Sequence, residues 1–279
     1  MYEPVFTPPI TFAAPLTGAL RFGIDIRSRV IDPDRWHSDP PHLHRELEIF
    51  CIHSNHVSFL INNRLYHVPA GSAIISRPND IHMCIFDRKE YYSFSCLWID
   101  GDFDAPAFAF LRDCAAQPQL FFSEAEADAV QECFAQLQRQ KENPLPSALE
   151  QTAVLFRMLS LMEKADRQVR VNPALPQKLQ DILNDISQNY TDIRSLGDLL
   201  DRHYISQSTL NRYFRRYLHT SAYQYLLSRK LAYAAQLLSD GAAVTEACIR
   251  AGFTDVSRFI VQFKREFSVT PGQYRDSTA

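Results

Sequence analysis

His42, His44, Glu48 and His82 are the residues of this chain best suited to hold a cation or a small polar molecule. Two imidazoles and a carboxylate, with a third imidazole downstream, form a ligand set that suits a divalent transition metal. Glu46 and Trp98 join them as candidates for an effector site, because a small polar ligand takes a few converging hydrogen-bonding groups and an aromatic face. The plainer reading of the same residues is a satisfied polar cluster, with Trp98 as core.

A second set has the chemistry of nucleic-acid contact: Ser208, Asn211, Arg212, Arg215 and Arg216, then Ser257, Arg258, Val261, Lys264 and Arg265. Asn pairs bidentately with adenine and Arg with guanine, and Val packs on a thymine methyl. Outlying Arg and Lys meet phosphate, with Arg215 and Arg216 in that role. On charge alone these are also what any solvated helix face carries.

To present such side chains, each set needs a helix whose opposite face is dry. Leu210, Phe214 and Leu218 supply that face for the first, with Ser206 as its cap and a helix to about Leu218. Leu196, Leu199 and Leu200 mark a short helix before it, and His203 to Ile205 the turn between. For the second set, Gly252 suits a tight turn of positive φ and Asp255 caps a helix. Its Phe259, Phe263 and Phe267 fall at i, i+4 and i+8. Both sets are therefore second helices of helix-turn-helix units, at about 195–218 and 244–267. Ser221 to Ser239 reads as one helix between them, roughly 28 Å long at about 1.5 Å per residue. That is slightly short of the ~34 Å between major-groove faces one turn apart, so engaging both grooves requires the DNA to bend.

The string Ala251-Gly252-Phe253, followed by Phe263-Lys264 and by Thr270-Pro271 with Tyr274-Arg275, closely resembles the C-terminal signature of the AraC/XylS family of bacterial transcription regulators. Ser208, Asn211 and Arg212 sit where that family places base contacts. Val261 stands where a basic or polar reader is common, and Ile260 adds another apolar group, so the first unit is expected to carry more of the specificity. Leu200 and Cys248 replace a usual alanine, and His203 and His219 a frequent glycine.

Upstream, His42-Leu43-His44, Glu48, Pro69-Ala70-Gly71 and His82 resemble the cupin barrel that serves such regulators as a sensor. The match departs at Ile74, where a further histidine is expected, and around Asn55, where a glycine is usual. His82 reads as a loop residue after Asp80. The resemblance implies a small effector, a carbohydrate as first choice, in a regulator that activates rather than represses. It also implies a homodimer, RNA polymerase as a partner, double-stranded DNA as the target, and neither catalytic residues nor a cofactor or metal. The rival is a metal-dependent cupin enzyme with a nucleic-acid-binding helical tail.

Composition sets the bounds. With 279 residues, 46% apolar and 22% charged, the chain is long enough for two cored domains. The net charge of −3 divides unevenly: from Asn172 onward 13 basic residues face 10 acidic ones, and the rest holds 16 against 22. The positive part is the part with the helix-turn-helix units. Cys51, Cys84, Cys96, Cys114, Cys133 and Cys248 show no ligand spacing and read as reduced core residues of a cytoplasmic protein. No membrane span or secretion signal is expected.

The fold class is thus α+β multidomain. Residues 1–165 form a Pro-containing arm, an all-β cupin-like barrel and flanking helices that pack on its wall or form a dimer contact; 166–176 form a linker; 177–279 form an all-α double helix-turn-helix domain. Val57–Ile61, Asn62-Asn63 and Arg64–Val68 read as a hairpin. Ser72 to Ser76 and Tyr91 to Ile99 read as strands, and Ser123–Lys141 and Ala148–Ala165 as helices.

Overall fold

A computed structural model describes residues 10–12, 18–31, 41–86, 88–101, 108–142, 148–167 and 175–278. Its N-terminal half packs two antiparallel sheets face to face. The larger runs β1 (Ile10–Phe12), β2 (Gly18–Ile31), β8 (Glu90–Gly101), β3 (Leu47–Ser54), β6 (Ser72–Ser76) and β9 (Gln119–Phe121) in spatial order. The smaller runs β5 (Arg64–Pro69), β4 (His56–Ile61) and β7 (His82–Ile85).

Because side chains alternate across a strand, each wall has two clients. In β3, Leu47, Ile49 and Cys51 face outward, against α2 (Glu124–Glu142) and α3 (Ala148–Lys164), which supply Phe134, Leu155, Met158 and Met162. Phe50 and Ile52 face inward with Phe59, Phe94 and Ile74. Glu48, between Leu47 and Ile49, therefore points into the barrel. In β8, Leu97 and Ile99 go outward, while Phe94, Cys96 and Trp98 go inward. Both helices bury their apolar faces within the molecule.

The hairpin forms as its sequence requires: Asn62 and Asn63 hold φ of 44° and 69°, the left-handed pair that a two-residue turn demands. α2 opens on the expected box, with the Ser123 N–H donating to the Glu126 carboxylate at 2.9 Å.

Four details differ from the sequence reading. Ile10–Phe12 of the arm is a strand paired to Gly18–Leu20, while residues 1–9 and 13–17 lie outside the described residues. His82 is the first residue of β7 rather than a loop residue, because it pairs with Ile61 and its backbone forms a bridge with His42. β9 and the turn of helix α1 (Ala109–Arg112) are not among the elements read from the sequence and lie ahead of the first flanking helix. The three residues Gln119–Phe121 are too short for periodicity to reveal. Asp166 forms a bridge with Phe121, and Arg167 donates to the Phe110 carbonyl at 2.9 Å, so the start of the expected linker is fastened to the barrel half. Its residues 168–174 lie outside the described residues.

The C-terminal half is all helix: α4 (Gln177–Asn189), α5 (Leu196–His203), α6 (Gln207–Leu218), α7 (Ala222–Ser239), α8 (Val244–Arg250), α9 (Val256–Phe267) and α10 (Pro271–Thr278). One core gathers Leu183, Ile186, Leu199, Phe214 and Tyr225 around the first helix-turn-helix. Another gathers Leu231, Ala235, Cys248, Phe259 and Phe263 around the second. The first core continues into the small sheet, where Leu60, Met83 and Ile85 join it. The two halves thus share the first of these cores.

Candidate functional site

In α6 the Ser206 side chain accepts from the Thr209 N–H at 3.2 Å, and Leu210, Phe214 and Leu218 are completely buried. Ser208, Arg212, Arg215 and Arg216 are exposed on the opposite face, with Asn211 half-buried beside them. All five contacts expected from the sequence therefore lie on one helix, on the side away from its core. The turn before it places Tyr204 in the left-handed region at φ 51°, closing α5, and His219 does the same after α6 at φ 49°.

α9 repeats the plan. The Asp255 carboxylate accepts from the Arg258 N–H at 3.0 Å, Phe259 and Phe263 are completely buried, and the Phe267 ring packs at a tilt against those of Phe263 and Tyr274. Ser257, Arg258, Val261, Lys264 and Arg265 are exposed, Val261 at 68%. Cys248 fits a fully buried position of the second core in place of the usual alanine.

The two units are tied to each other through α7. Buried Lys230 donates from Nζ to the Ile193 carbonyl at 2.8 Å and to the Gly252 carbonyl at 2.9 Å, so one ammonium ties the loop that leads into the first unit to the turn of the second. Burial draws its pKa below the usual lysine value, and the two carbonyls offset that cost by solvating the charge. Gly252, at φ 78°, is required twice over: a Cβ there would sit 2.2 Å from the Thr191 carbonyl oxygen. On the exposed side, Gln262 of α9 donates to the Tyr223 hydroxyl of α7 at 2.9 Å.

The second group lies inside one end of the barrel. Ligand atoms of His42, His44, Glu48 and His82 all fall within 4.8 Å of one another. The antiparallel bridge between His42 and His82 sets two of the rings side by side, with centroids 4.4 Å apart. Glu48 Oε2 is 3.2 Å from His44 Nε2 and 2.7 Å from His82 Nε2. Burial opposes ionisation of Glu48, but the hydrogen bond of His44 and the charges of His44 and His82 beside it outweigh it and hold the carboxyl well below its usual range. Burial likewise opposes protonation of His44, and Glu48 with Glu46 reverses the balance, so its pKa is raised.

Of the other two candidates, Glu46 has its carboxylate 3.4 Å from His44 Nδ1. Trp98 pairs with Glu48 across the β3–β8 ladder and shares its inward face. The six residues are therefore neighbours. A separate cleft of about 320 Å³ is lined by Asn62, Arg64, Tyr66, Arg77 and Asp80 among others, and none of the six lines it.

A family model of the AraC-like ligand binding domain matches residues 28–207. The chain belongs to the AraC family. A helix-turn-helix domain model matches residues 199–277, covering both recognition helices. As an AraC-family member it is a DNA-binding transcription regulator with a ligand-binding domain. Among curated relatives it is similar to the HTH-type transcriptional activator RhaR of Mannheimia succiniciproducens, 23% identical with 88% of this chain and 91% of the relative covered. It is also similar to the HTH-type transcriptional activator RhaS of Pectobacterium carotovorum, 25% identical with 85% and 87% covered. Among solved structures, ToxT of Vibrio cholerae matches 92% of this chain and 98% of its own at 15% identity, with a TM-score of 0.37. No helix among the described residues is long and apolar enough to cross a membrane.

Sequence reasoning missed the residues that join the two halves of this AraC-family chain. The Asn63 side-chain amide donates to the Leu183 carbonyl of α4 at 3.0 Å, and its oxygen accepts from the buried Tyr225 hydroxyl of α7 at 3.0 Å. Gln180 donates to the Asn63 carbonyl at 3.0 Å, and Arg45 reaches Asp240 beyond the end of α7 at 3.2 Å. Asn63 read only as a turn residue because its φ explained it. Lys230 carried a visible signal: a cation at the helical spacing of the apolar stripe, four residues from both Leu226 and Ala234.

Proposed function

We propose that this chain is a transcription activator whose two recognition helices read adjacent major grooves, α6 supplying most of the base specificity. We further propose that a small polar effector in the barrel, with carbohydrate as the first class to try, sets how the helical domain is held. The observation that carries the reading is the pair of exposed basic helices tied through Lys230, since a single polypeptide then offers two groove-reading faces in fixed relation. The names of RhaR and RhaS support activation, which brings RNA polymerase as a partner. Exposed Val30 and Tyr91, opposite one another on β2 and β8, and exposed Leu149 on α3 support a homodimer, and the reading places the protein in the cytoplasm without catalytic activity.

Coupling has a physical route in β7. This strand turns His82 into the barrel and Met83 and Ile85 toward α4, so a ligand that shifts His82 shifts the wall on which the DNA-binding half rests. Effector and DNA must then alter each other's affinity by the same factor. Selection of bound genomic fragments by the purified chain, followed by footprinting, tests the first claim. A preferred segment protected over two successive turns is expected, and the absence of any preferred segment overturns it. For coupling, Asn63→Gly keeps the left-handed turn and removes the side-chain bonds to α4 and α7. Changed DNA affinity in a variant that still folds supports the route, and unchanged affinity removes it.

A further inference from the structure

The hydrogen-bond partners of two histidines assign an occupant to the barrel cluster. His44 Nδ1 lies 2.9 Å from the Glu46 carbonyl oxygen, and His82 Nδ1 lies 2.9 Å from the Asp80 carbonyl oxygen. A carbonyl only accepts, so each Nδ1 carries the proton. In the neutral ring the Nε2 lone pair is then bare, and both Nε2 atoms converge on Glu48 Oε2.

Two lone pairs and a carboxylate brought together repel one another unless a positive charge lies among them. A proton on His44 Nε2, 3.2 Å from Glu48 Oε2 and placed to donate to it, is one source, but the three imidazole rings are packed with centroids 4.4 to 5.8 Å apart and share only Glu48 and, at His44 Nδ1, Glu46, which disfavours charging all of them. His82 sharpens the point: it is 1% exposed, and its Nε2 makes no properly directed hydrogen bond although Glu48 Oε2 is only 2.7 Å away. That contact is short enough for a hydrogen bond and aimed wrongly for one. Backbone carbonyls that fix the Nδ1 tautomer are also the outer support that metal-ligating histidines normally have.

We propose that His42, His44, Glu48 and His82 bind a divalent transition-metal ion, with three imidazole nitrogens and one carboxylate oxygen as protein ligands. Nitrogen-rich ligation of this kind favours zinc, iron(II), cobalt, nickel or copper over magnesium or calcium, which take oxygen. The inference deepens the effector-site reading, because the ion occupies the same cluster and contacts β7 through His82. Its failure is nevertheless separable from failure of that reading, since DNA recognition by α6 and α9 does not pass through the ion.

The test uses the full-length chain, stripped with chelator and titrated with Co²⁺ and with Zn²⁺. One equivalent of Co²⁺ should bind with visible d–d absorption, and Zn²⁺ should displace it. Glu48→Gln, which keeps the side-chain shape, and the double variant His42→Ala/His44→Ala should each weaken Co²⁺ at least tenfold and alter or abolish the spectrum. Circular dichroism and thermal melting verify that the variants fold. A folded wild-type chain that takes up no stoichiometric Co²⁺ or Zn²⁺ at micromolar concentration overturns the proposal, as does unchanged binding by folded Glu48→Gln and double variants. Gel shifts with stripped and loaded protein separate the two readings. Specific DNA binding without metal uptake sinks the metal site alone, while metal uptake without specific DNA binding leaves the site standing and sinks the regulator.

Discussion

The two recognition helices are built alike inside and differently outside. α6 and α9 each have twelve residues, an oxygen cap taking the N–H three residues on, and a phenylalanine at the centre of the buried face. Outward, α6 presents Ser208, Asn211 and Arg212 followed by two arginines, whereas the middle of α9 presents Val261, exposed at 68%. A helix core tolerates little variation because it must pack, and its wet face is free to choose what it reads. On the function proposed above, the difference makes the second unit a clamp on the backbone while the first does most of the discrimination between sequences.

That contrast can be broken or sharpened by matched substitutions. The largest effects should come from the shared interiors: Phe214→Ala and Phe263→Ala should each cost about 3–5 kcal/mol of stability in chemical denaturation. If one proved nearly neutral, the two cores would not be equivalent. On the reading face, Arg212→Ala should weaken specific binding by about 1–3 kcal/mol and relax preference at one base position, measured at a footprinted site. Arg258→Ala should relax it less, and the reverse order would exchange the roles of the helices. The caps should respond equally, with Ser206→Ala and Asp255→Ala each lowering stability by about 1 kcal/mol in thermal melts. The smallest change is in ionic-strength dependence. Arg216→Ala should lower the slope of log K against log salt by about 0.9, uniformly across DNA sequences, and Val261→Lys should raise it by a similar amount.

The helical half was legible almost residue by residue. Ser206 and Asp255 cap the helices they were read to cap, because an N-cap is a local bargain between one oxygen and one N–H. The phenylalanine stripe of α9 declared its own buried face. In the barrel, the Asn62-Asn63 hairpin was equally plain, since two consecutive left-handed residues leave few alternatives. What stayed hidden is what depends on distant parts of the chain. Nothing near His82 in the sequence shows that its backbone bridges to His42, forty residues away, which turns scattered imidazoles into one cluster. The docking of α4 on Met83 and Ile85 was invisible for a similar reason, because alternation says which way a strand faces but not what lies opposite.

The ammonium of Lys230 sets a rule for the promoters this protein serves. With the loop that enters the first reading unit and the turn of the second bound to the same nitrogen, the chain has no spare length with which to follow a change in the distance between its two target words. An operator with about five extra base pairs between them would turn the second word to the far side of the duplex. Natural sites should therefore vary in letters far more than in spacing, and drift of the binding site should proceed by substitution while insertions are purged.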